Sequence, residues 1–339
     1  MGLALAAAGL GAALIARQAT RRSRAISFDD RVVLITGGSR GLGFVLARQL
    51  AAEGARLALV ARNLEDLEAA AERLRARGAD VFTLSCDVGD RQQATDAVRR
   101  VVEHFGRLDV LINNAGVVQV GPLQHMQYED FQGAMAVHFW GPLHMTLAAM
   151  SHLGAYRDGR IVNIASIGGK VAVPHLAPYS ASKFALVGLS ESLRAELGRE
   201  GILVTTVLPG LMRTGSPLRA DVKGHHEAEY AWFALSDSLP LVSINAERAA
   251  RKIIAACRYG DPELIITPQA KLAVALNGLA PGLLSGIMRA ANWMLPKPVG
   301  EEGDRSKKGR ESETVWTRSP LTALTRAAAR RNNERVEAY

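Results

Sequence analysis

Seven short apolar, β-branched runs recur between residues 31 and 270, and they constrain the fold of this 339-residue chain more than any other feature. Longer amphipathic stretches separate them, such as residues 64–78, where leucine and alanine recur at helical spacing and Gly78 supplies a stop signal. Near-continuous apolar strands indicate a parallel sheet covered on both faces. The alternation predicts an α/β fold with a doubly wound parallel sheet of about seven strands. The predicted strands are 31–36, 56–61, 81–85, 109–112, 160–165, 202–207 and 263–267.

Other segments flank or interrupt this pattern. Residues 211–245 are too long for an ordinary connection and are interpreted as a lid insertion. Residues 271–296 are apolar with helical spacing and are broken at Pro281, which predicts a helical extension after the sheet domain. The predicted organisation is a leader (1–26), the α/β domain with its lid insertion (27–270), the extension (271–296) and a flexible polar tail (297–339), for which no function is derived.

Charge and cysteine content exclude several classes of protein. The formal net charge is +8, but the cations form local clusters rather than one basic face, so no nucleic-acid partner is expected. Cys86 and Cys257 are the only cysteines, which argues against a disulfide scaffold and is compatible with a reducing compartment. No histidine or cysteine spacing matches a metal site, so none is predicted.

The N-terminal residues 3–16 carry no charge, and arginines follow from Arg17. As a helix this stretch would span about 21 Å at about 1.5 Å per residue, short of the ~30 Å hydrocarbon core of a bilayer. We interpret it as a membrane anchor, with the following domain held on the cytoplasmic side by the arginines. The alternatives are an organelle transit peptide, or an alanine-rich helix or disordered leader on a cytoplasmic protein.

The first predicted strand runs directly into a glycine cluster, TGGSRGLG at residues 36–43, before a helix-like segment. Glycines are needed where a chain turns tightly and where backbone N–H groups approach a pyrophosphate at a helix N-terminus. A plain strand-to-helix turn would also accept glycines. The position after the first strand of an alternating pattern favours a dinucleotide-binding loop.

A second cluster, YSASK at residues 179–183, places Tyr179 and Lys183 four residues apart, on one face of a helix. An ammonium beside a phenol favours the phenolate, which predicts a lowered pKa for Tyr179 and a usable proton donor and acceptor near neutral pH. Ser166 follows the fifth predicted strand, at the carboxyl edge where ligands of open α/β sheets bind, and could hold a carbonyl oxygen there. A surface pair and a turn serine are the plainer alternative.

Four motifs, taken in order, resemble the short-chain dehydrogenase/reductase family in its single-domain form, over roughly residues 28–270. They are TGGSRGLG (36–43), NNAG (113–116), Ser166 and YSASK (179–183). The resemblance implies a Rossmann fold, with Tyr179 as acid/base, Lys183 lowering its pKa and binding the nicotinamide ribose, and Ser166 orienting the substrate carbonyl. It also implies pairing of subunits through the helix carrying Tyr179. The implied cofactor-binding residues are Gly37, Ser39, Arg40, Gly41, Leu42, Gly43, Arg62, Asp87, Val88, Asn114, Ala115, Gly116, Tyr179, Lys183, Pro209, Gly210 and Thr214. Among these, Asp87 is expected near the adenine and Thr214 at the nicotinamide carboxamide.

The choice between NADP and NAD is predicted from charge. An NAD site usually carries an acid at the end of the second strand, about 20 residues beyond the glycines, to accept the ribose 2′-OH. This chain has Arg62 there and a second cation, Arg40, in the glycine loop, while Asp66 is expected to face solvent. Two arginines suit a 2′-phosphate, so NADP (NADPH) is predicted and NAD is disfavoured.

The family pattern V-N-x-x-G before the serine strand reads Val137, His138, Phe139, Trp140, Gly141 here, with histidine at the asparagine position. That asparagine helps to hold a water linking the lysine to solvent. A neutral imidazole has one donor and one acceptor nitrogen, so His138 could carry such a proton relay and is included among the catalytic residues. The alternative is a buried structural histidine.

The predicted function is an NADP-dependent oxidoreductase that transfers a hydride between the nicotinamide and a carbonyl or secondary alcohol. Tyr230, Trp232 and Phe233 in the lid suggest a lipophilic substrate, although these rings could equally be lid packing. Together with the leader and the apolar extension, this suggests a membrane-proximal reductase. The alternative function is an NADPH-binding regulator or scaffold with little turnover.

Overall fold

All seven predicted strands form one parallel sheet in the computed structural model, which describes residues 16, 18–240 and 243–334. Along the sheet the order is 7-6-5-4-1-2-3, and every neighbouring pair is parallel. The order reverses between the first and fourth strands, and ligands of open α/β sheets bind at such a switch point. The strands are β1 (Val32–Thr36), β2 (Arg56–Ala61), β3 (Val81–Ser85), β4 (Val110–Asn113), β5 (Arg160–Ile164), β6 (Leu203–Leu208) and β7 (Glu263–Ile265).

Helices cover both faces of the sheet. Alternate residues of β1 face opposite sides, because successive side chains of a strand point in opposite directions. Val33 and Ile35 belong to a core shared with α1 (Gly41–Ala51), α2 (Leu64–Arg75) and α8 (Ala246–Tyr259). Val32 and Leu34 belong to a core shared with α3 (Arg91–Phe105) and α5 (Gly141–Gly154). The doubly wound α/β fold is therefore confirmed. The further helices of the domain are α4 (Tyr128–Met135), α6 (Ala177–Leu197) and α7 (His226–Ser238).

The lid insertion folds over the carboxyl edge of the sheet. It contains α7 and three short strands, Leu211–Arg213, Asp221–Val222 and Ser243–Asn245. Asp221–Val222 is the central strand of a small three-stranded sheet. It pairs in parallel with Gln119–Val120 and antiparallel with Lys307–Lys308 of the tail. The lid is thus held by a small second sheet that includes the far C-terminal part of the chain.

Two helices form the predicted C-terminal extension, α9 (Pro268–Leu279) and α10 (Pro281–Trp293). Ala280 separates them and Pro281 opens the second, as a residue without a backbone N–H can do at a helix start. Beyond them, residues 297–334 pack on the domain and include α11 (Ala323–Arg331), whose Ala328 and Ala329 are buried. This part of the tail therefore differs from the flexible segment that its polar composition suggested, whereas the domain boundaries remain predictions.

The N-terminal leader enters the described structure only at its end. Residues 18–23 are helical, and Arg21 forms an ion pair of 2.6 Å with Asp261. The anchor interpretation concerns residues 3–16, of which all but Ala16 lie outside the described residues. Within the described residues, no helix combines the length and apolar character needed to cross a membrane.

Candidate active site

The glycine loop, residues 36–43, joins β1 to α1 at the switch point of the sheet. Gly37 has a φ of +65°, in the left-handed region that glycine adopts without steric cost. At Gly43 an added Cβ would lie 2.2 Å from the carbonyl oxygen of Gly37 and 2.6 Å from the side-chain nitrogen of Asn114. No side chain fits there, so the close approach of the loop to the neighbouring strand requires glycine.

The NNAG segment after β4 braces this loop. The side-chain nitrogen of Asn114 donates to the carbonyl oxygens of Thr36 (3.0 Å) and Gly37 (3.1 Å). In return, the Thr36 hydroxyl oxygen accepts from the backbone N–H groups of Asn114 and Ala115, each at 3.0 Å. Asn114 therefore fixes the glycine loop through the protein itself, in addition to lying beside the cavity described next.

One cavity of about 520 Å³ runs along the carboxyl edge of the sheet and connects the glycine loop to Tyr179 and Lys183. All of the predicted cofactor and catalytic residues line it except Gly43, which lies behind the loop. Those residues are Gly37, Ser39, Arg40, Gly41, Leu42, Arg62, Asp87, Val88, Asn114, Ala115, Gly116, His138, Ser166, Tyr179, Lys183, Pro209, Gly210 and Thr214. Gly37 and Thr214, which are 177 positions apart in sequence, thus share one continuous site.

Tyr179 and Lys183 occupy the first two turns of α6, and the Lys183 Nζ lies 5.7 Å from the centroid of the Tyr179 ring. Ser166 follows β5, and its hydroxyl oxygen accepts from the backbone N–H of Gly168 at 3.0 Å. The Lys183 side chain is 4% exposed and donates to the carbonyl oxygen of Ile164 at 2.9 Å. A hydroxyl, a phenol and an amine therefore meet at one end of the cavity.

Burial governs the protonation of these groups. It raises the pKa of the Tyr179 phenol, against a smaller opposing effect of its hydrogen bond with Ser166. Burial also lowers the pKa of Lys183 to about 7, because little water remains to solvate the ammonium. The pKa of Tyr179 is therefore shifted in the opposite direction to the lowering predicted from the sequence, because the loss of water around the buried phenol outweighs its hydrogen bond with Ser166.

His138 lies in a five-residue π-helix, Ala136–Trp140, and is fully buried beside Tyr179, with ring centroids 5.4 Å apart. Its Nε2 accepts from the backbone N–H of Val117 at 3.1 Å, and its Nδ1 lies 2.8 Å from the Ser182 hydroxyl oxygen. That hydroxyl in turn donates to the Tyr179 carbonyl oxygen at 2.9 Å. Since Nε2 is an acceptor, the proton of the neutral ring resides on Nδ1.

Both ring nitrogens of His138 are thus used by the protein. Burial, followed by the charge of Lys183, lowers the pKa of His138 well below its ordinary value, so the ring is neutral. A relay would need one nitrogen free to exchange a proton with water. The hydrogen bonds therefore favour the structural alternative, in which His138 braces Val117, directly after the NNAG segment, against the helix that carries Tyr179.

Arg40 and Arg62 lie at the opposite end of the cavity from Tyr179. Arg62 is exposed at the end of β2, and among the described residues no carboxylate lies within ion-pair distance of it. Arg40 differs, because its Nη1 lies 2.9 Å from the Asp66 carboxylate. Asp66 is 4% exposed, so the expectation that it faces solvent is wrong: the first turn of α2 packs under the glycine loop and brings the acid to Arg40.

Asp87 and Thr214 line the cavity but also serve local turns. The Asp87 carboxylate accepts from the Gly89 N–H at 2.9 Å, which caps the turn after β3. The Thr214 hydroxyl accepts from the Ser216 N–H at 3.2 Å. Cavity lining and turn capping are compatible for both residues.

The structure adds residues that sequence reasoning did not identify. Glu334, at the end of the described tail, lines the cavity together with Arg219, Lys308 and Arg310. Glu334 lies 3.5 Å from Arg40 and 3.5 Å from Arg219. No motif or periodicity marks these positions, since they reach the site only through the packing of the lid and the tail.

The aromatic residues of the lid do not line the cavity. Tyr230 and Phe233 are 3% and 8% exposed and pack with Val120, Leu176 and Val222. Trp232 donates its indole N–H to the Glu229 carboxylate at 2.7 Å. The rings are therefore lid packing, and they do not carry the argument for a lipophilic substrate.

Comparison with known proteins agrees with this geometry. The short chain dehydrogenase family profile matches residues 31–222. A putative ketoacyl reductase 1 of the granaticin polyketide synthase from Streptomyces violaceoruber is 40% identical over 197 residues, 58% of this chain and 72% of that protein.

Two solved structures have the same fold. One is a short chain dehydrogenase/reductase from Burkholderia phymatum in complex with NAD, with a TM-score of 0.70, 25% identity, and coverage of 76% of this chain and 96% of that one. The other is a gluconate 5-dehydrogenase from Burkholderia cenocepacia J2315 in complex with NADP and tartrate, with a TM-score of 0.63, 28% identity, and coverage of 72% and 96%. The chain belongs to the short-chain dehydrogenase/reductase family of oxidoreductases, which use a nicotinamide dinucleotide.

Proposed function

We propose that this protein is an NADP(H)-dependent oxidoreductase that acts on the carbonyl group of an apolar substrate, or on the corresponding secondary alcohol. One observation carries the proposal: a single cavity joins the glycine loop to Ser166, Tyr179 and Lys183. The glycine loop lines this cavity at Gly37, Ser39 and Gly41, where a pyrophosphate could approach the backbone closely. A bound nicotinamide would supply or accept the hydride.

The side chains at the Tyr179 end would handle the substrate oxygen and its proton. Ser166 can hold the carbonyl oxygen by donating its hydroxyl proton, because that hydroxyl oxygen already accepts from Gly168. The raised pKa of Tyr179 keeps its phenol protonated at neutral pH, so the phenol is ready to donate to an alkoxide oxygen as it forms. This state supports the reductive direction. Lys183 lies close enough to exert its charge on the phenol whenever it is protonated.

The proposed preference for NADP rests on charge at the arginine end. Arg62 occupies the end of β2, where an NAD site carries an acid, and its guanidinium is exposed and available to a 2′-phosphate. Arg40 adds a second cation that Asp66 partly neutralises. The solved relatives contain NAD in one case and NADP in the other, so the support comes from this chain's own residues.

The proposed apolar character of the substrate rests on the residues beside Tyr179. Val117 and Val118 line the cavity, and Val118 packs with Tyr179 against the apolar cluster under the lid. Apolar walls with a few convergent polar groups are typical of small-molecule sites. A relative named as a ketoacyl reductase is consistent with a ketone substrate.

The test is to follow NADPH and NADH oxidation by the purified full chain against a panel of ketones and aldehydes of increasing chain length. We expect turnover with NADPH to exceed turnover with NADH and to rise with apolar substrates. Absence of turnover with every substrate, while NADPH still binds, would favour a regulatory or scaffold role instead. Equal rates with both cofactors would contradict the NADP preference.

We also propose that the protein contacts a membrane surface through α9 and α10. Large apolar side chains on these helices are 60–87% exposed, namely those of Leu272, Leu279, Leu283 and Trp293. No acidic residue occurs between Glu263 and Glu301, whereas Lys271, Arg289 and Lys297 do. Exposed apolar side chains flanked by cations suit a bilayer that contains anionic lipid.

Co-sedimentation with vesicles of phosphatidylcholine, with and without phosphatidylserine, tests this proposal. The full chain and a chain starting at Ser27 separate the contribution of the leader from that of the helices. We expect the chain starting at Ser27 to bind phosphatidylserine vesicles and the double variant Leu279→Asp, Trp293→Asp to lose that binding. Equal sedimentation of these two chains would contradict the role of α9 and α10.

A further inference from the structure

The C-terminal part of the tail is anchored beside the cavity. α11 packs on the lid: the Ser238 hydroxyl of α7 donates to the Thr325 hydroxyl at 2.8 Å, in a buried position. Ala329 of the same helix packs closely on Gly215: a Cβ added at Gly215 would lie 2.6 Å from the Cβ of Ala329. This packing directs the residues after α11 towards the glycine loop.

Those next residues bind the glycine loop through its backbone. The Asn332 carbonyl oxygen accepts from the N–H of Gly41, the first residue of α1, at 2.8 Å. The Asn333 side chain donates to the Ser39 carbonyl oxygen at 2.8 Å. A helix N-terminus has free N–H groups that bind phosphate in dinucleotide sites, and here the chain's own tail uses one of them.

Glu334 places a carboxylate at the same point. Its side chain is 4% exposed and lines the cavity, and its Oε2 lies 3.5 Å from the Nε atoms of both Arg40 and Arg219. That oxygen is buried and has no hydrogen-bond donor among the described residues. Burial raises the pKa of Glu334, Arg40 and Arg219 oppose this rise, and Asp66 adds to it.

The Glu334 carboxylate, flanked by Arg40 and Arg219 at the start of α1, thus resembles a bound phosphate in its charge and its position. A buried carboxylate and a pyrophosphate repel each other and compete for the same donors, so the two cannot be bound equally well together. The buried carboxylate supplies an anion at the N-terminus of α1 independently of the backbone contacts made by Asn332 and Asn333.

We propose that Glu334, presented by Asn332 and Asn333, is a built-in competitor for the phosphates of the dinucleotide and sets the cofactor affinity of this protein. The inference rests on the proposed function only in taking a nicotinamide dinucleotide as the ligand. Because the pyrophosphate is common to both cofactors, Glu334 opposes the binding of NADH as well as NADPH. Cofactor binding displaces the tail residues after α11 from the glycine loop.

The test measures the Kd of NADPH and of NADH by fluorescence titration of the full chain and of Glu334→Gln, which keeps the shape of the side chain and removes its charge. We expect the Kd to fall about tenfold for both cofactors, equivalent to about 1.4 kcal/mol. A chain ending at Arg331 keeps α11 and removes the whole competing segment, so its Kd should fall at least as far. Glu313→Gln is the matched control, since Glu313 pairs with Arg318 in the same tail and does not line the cavity.

An unchanged or raised Kd in Glu334→Gln would overturn the inference, and a raised Kd in the chain ending at Arg331 would show that the tail holds the cofactor instead. These results leave the proposed function intact, because the full chain still binds the dinucleotide. If neither the full chain nor any variant binds NADPH or NADH, the proposed function fails and the competitor role fails with it.

Discussion

The two ends of the cavity use opposite physical means. At the tyrosine end (Ser166, Tyr179, Lys183), burial is the first cause of the pKa shifts of the phenol and the amine. At the arginine end (Arg40, Arg62, Arg219), the charges of Arg40 and Arg219 are balanced by carboxylates of other segments at distances of 2.9–3.5 Å, whereas Arg62 is exposed. At the tyrosine end, exclusion of water sets the protonation of the side chains. At the arginine end, attraction and repulsion between ions set the charge that the site presents to a ligand.

This difference predicts which properties can change independently. Substitutions that remove the hydroxyl of Ser166 or Tyr179 should alter the chemical step much more than cofactor affinity, whereas Lys183 is expected to contribute to both. Substitutions at the arginine end should alter cofactor affinity and choice without changing the proton step. A variant that changes both together would show that the two ends are coupled.

The largest expected effect is that of Tyr179→Phe, which removes the proposed proton donor while preserving the ring. We expect kcat to fall by about 10²–10⁴-fold with little change in the Kd of NADPH. Tyr230→Phe is the matched control, because Tyr230 is a buried lid residue that does not line the cavity. A Tyr179→Phe enzyme with wild-type kcat would remove the tyrosine from the mechanism.

The next largest effect is expected from Arg62→Glu at the other end. Replacing the cation that we propose to bind the 2′-phosphate by an anion should lower kcat/KM for NADPH by roughly 10–100-fold, since a charge-assisted hydrogen bond contributes about 1.5–3 kcal/mol. The value for NADH should change far less. Arg100→Glu, on the exposed face of α3, makes the same charge change away from the cavity. A parallel loss with both cofactors would count against recognition of the 2′-phosphate by Arg62.

Burial of Lys183 should be visible in stability. The pKa of this lysine is about 7 in the folded protein against 10.5 for an ordinary lysine, so unfolding takes up a proton between these pH values and folding stability rises with pH. Lys183→Met should therefore raise the free energy of unfolding most below pH 7, by at most about 5 kcal/mol, and lose this advantage towards pH 10.5. The Ile164 carbonyl loses its donor, which reduces the gain.

Denaturant titrations at pH 6.5 and pH 9.5 measure this difference. Lys271→Met, at an exposed lysine, serves as the control. A stability gain in Lys183→Met that is the same at both pH values would contradict the role of the buried charge.

The smallest effect on activity is expected at His138. As a structural residue, it should tolerate Asn and Leu with similar kcat, while His138→Leu leaves the Val117 N–H unpaired and lowers the free energy of unfolding by about 1–3 kcal/mol. Parallel kcat and thermal unfolding measurements test this. A kcat that is lost in His138→Leu but kept in His138→Asn would restore the relay.

Sequence reasoning predicted the features that depend on neighbours along the chain. The seven strands follow from local runs of apolar residues, and their observed bounds differ from the predicted ones by at most two residues. Tyr179 and Lys183 share a face because four residues make about one helical turn. The glycine positions follow from the turn between β1 and α1, where no side chain fits.

The wrong or altered predictions all concern contacts between distant segments. Asp66 was expected in solvent, but α2 brings it to Arg40, 26 residues away in sequence. The lid aromatics were a candidate substrate wall, but they are buried in the packing of the lid. Glu334 carried no motif at all and reaches the glycine loop only because α11 docks on α7.

The amino-acid sequence by itself determined the sheet, the glycine loop and the serine, tyrosine and lysine at the carboxyl edge, because strand alternation and helical spacing are local and repeat with a fixed period. Only the tertiary structure decided the charges and hydrogen bonds around those groups. Burial raises the pKa of Tyr179, both nitrogens of His138 are engaged, and Glu334 lies between two arginines. Desolvation and ion pairing depend on what lies nearby in space, and one-dimensional spacing carries no record of that.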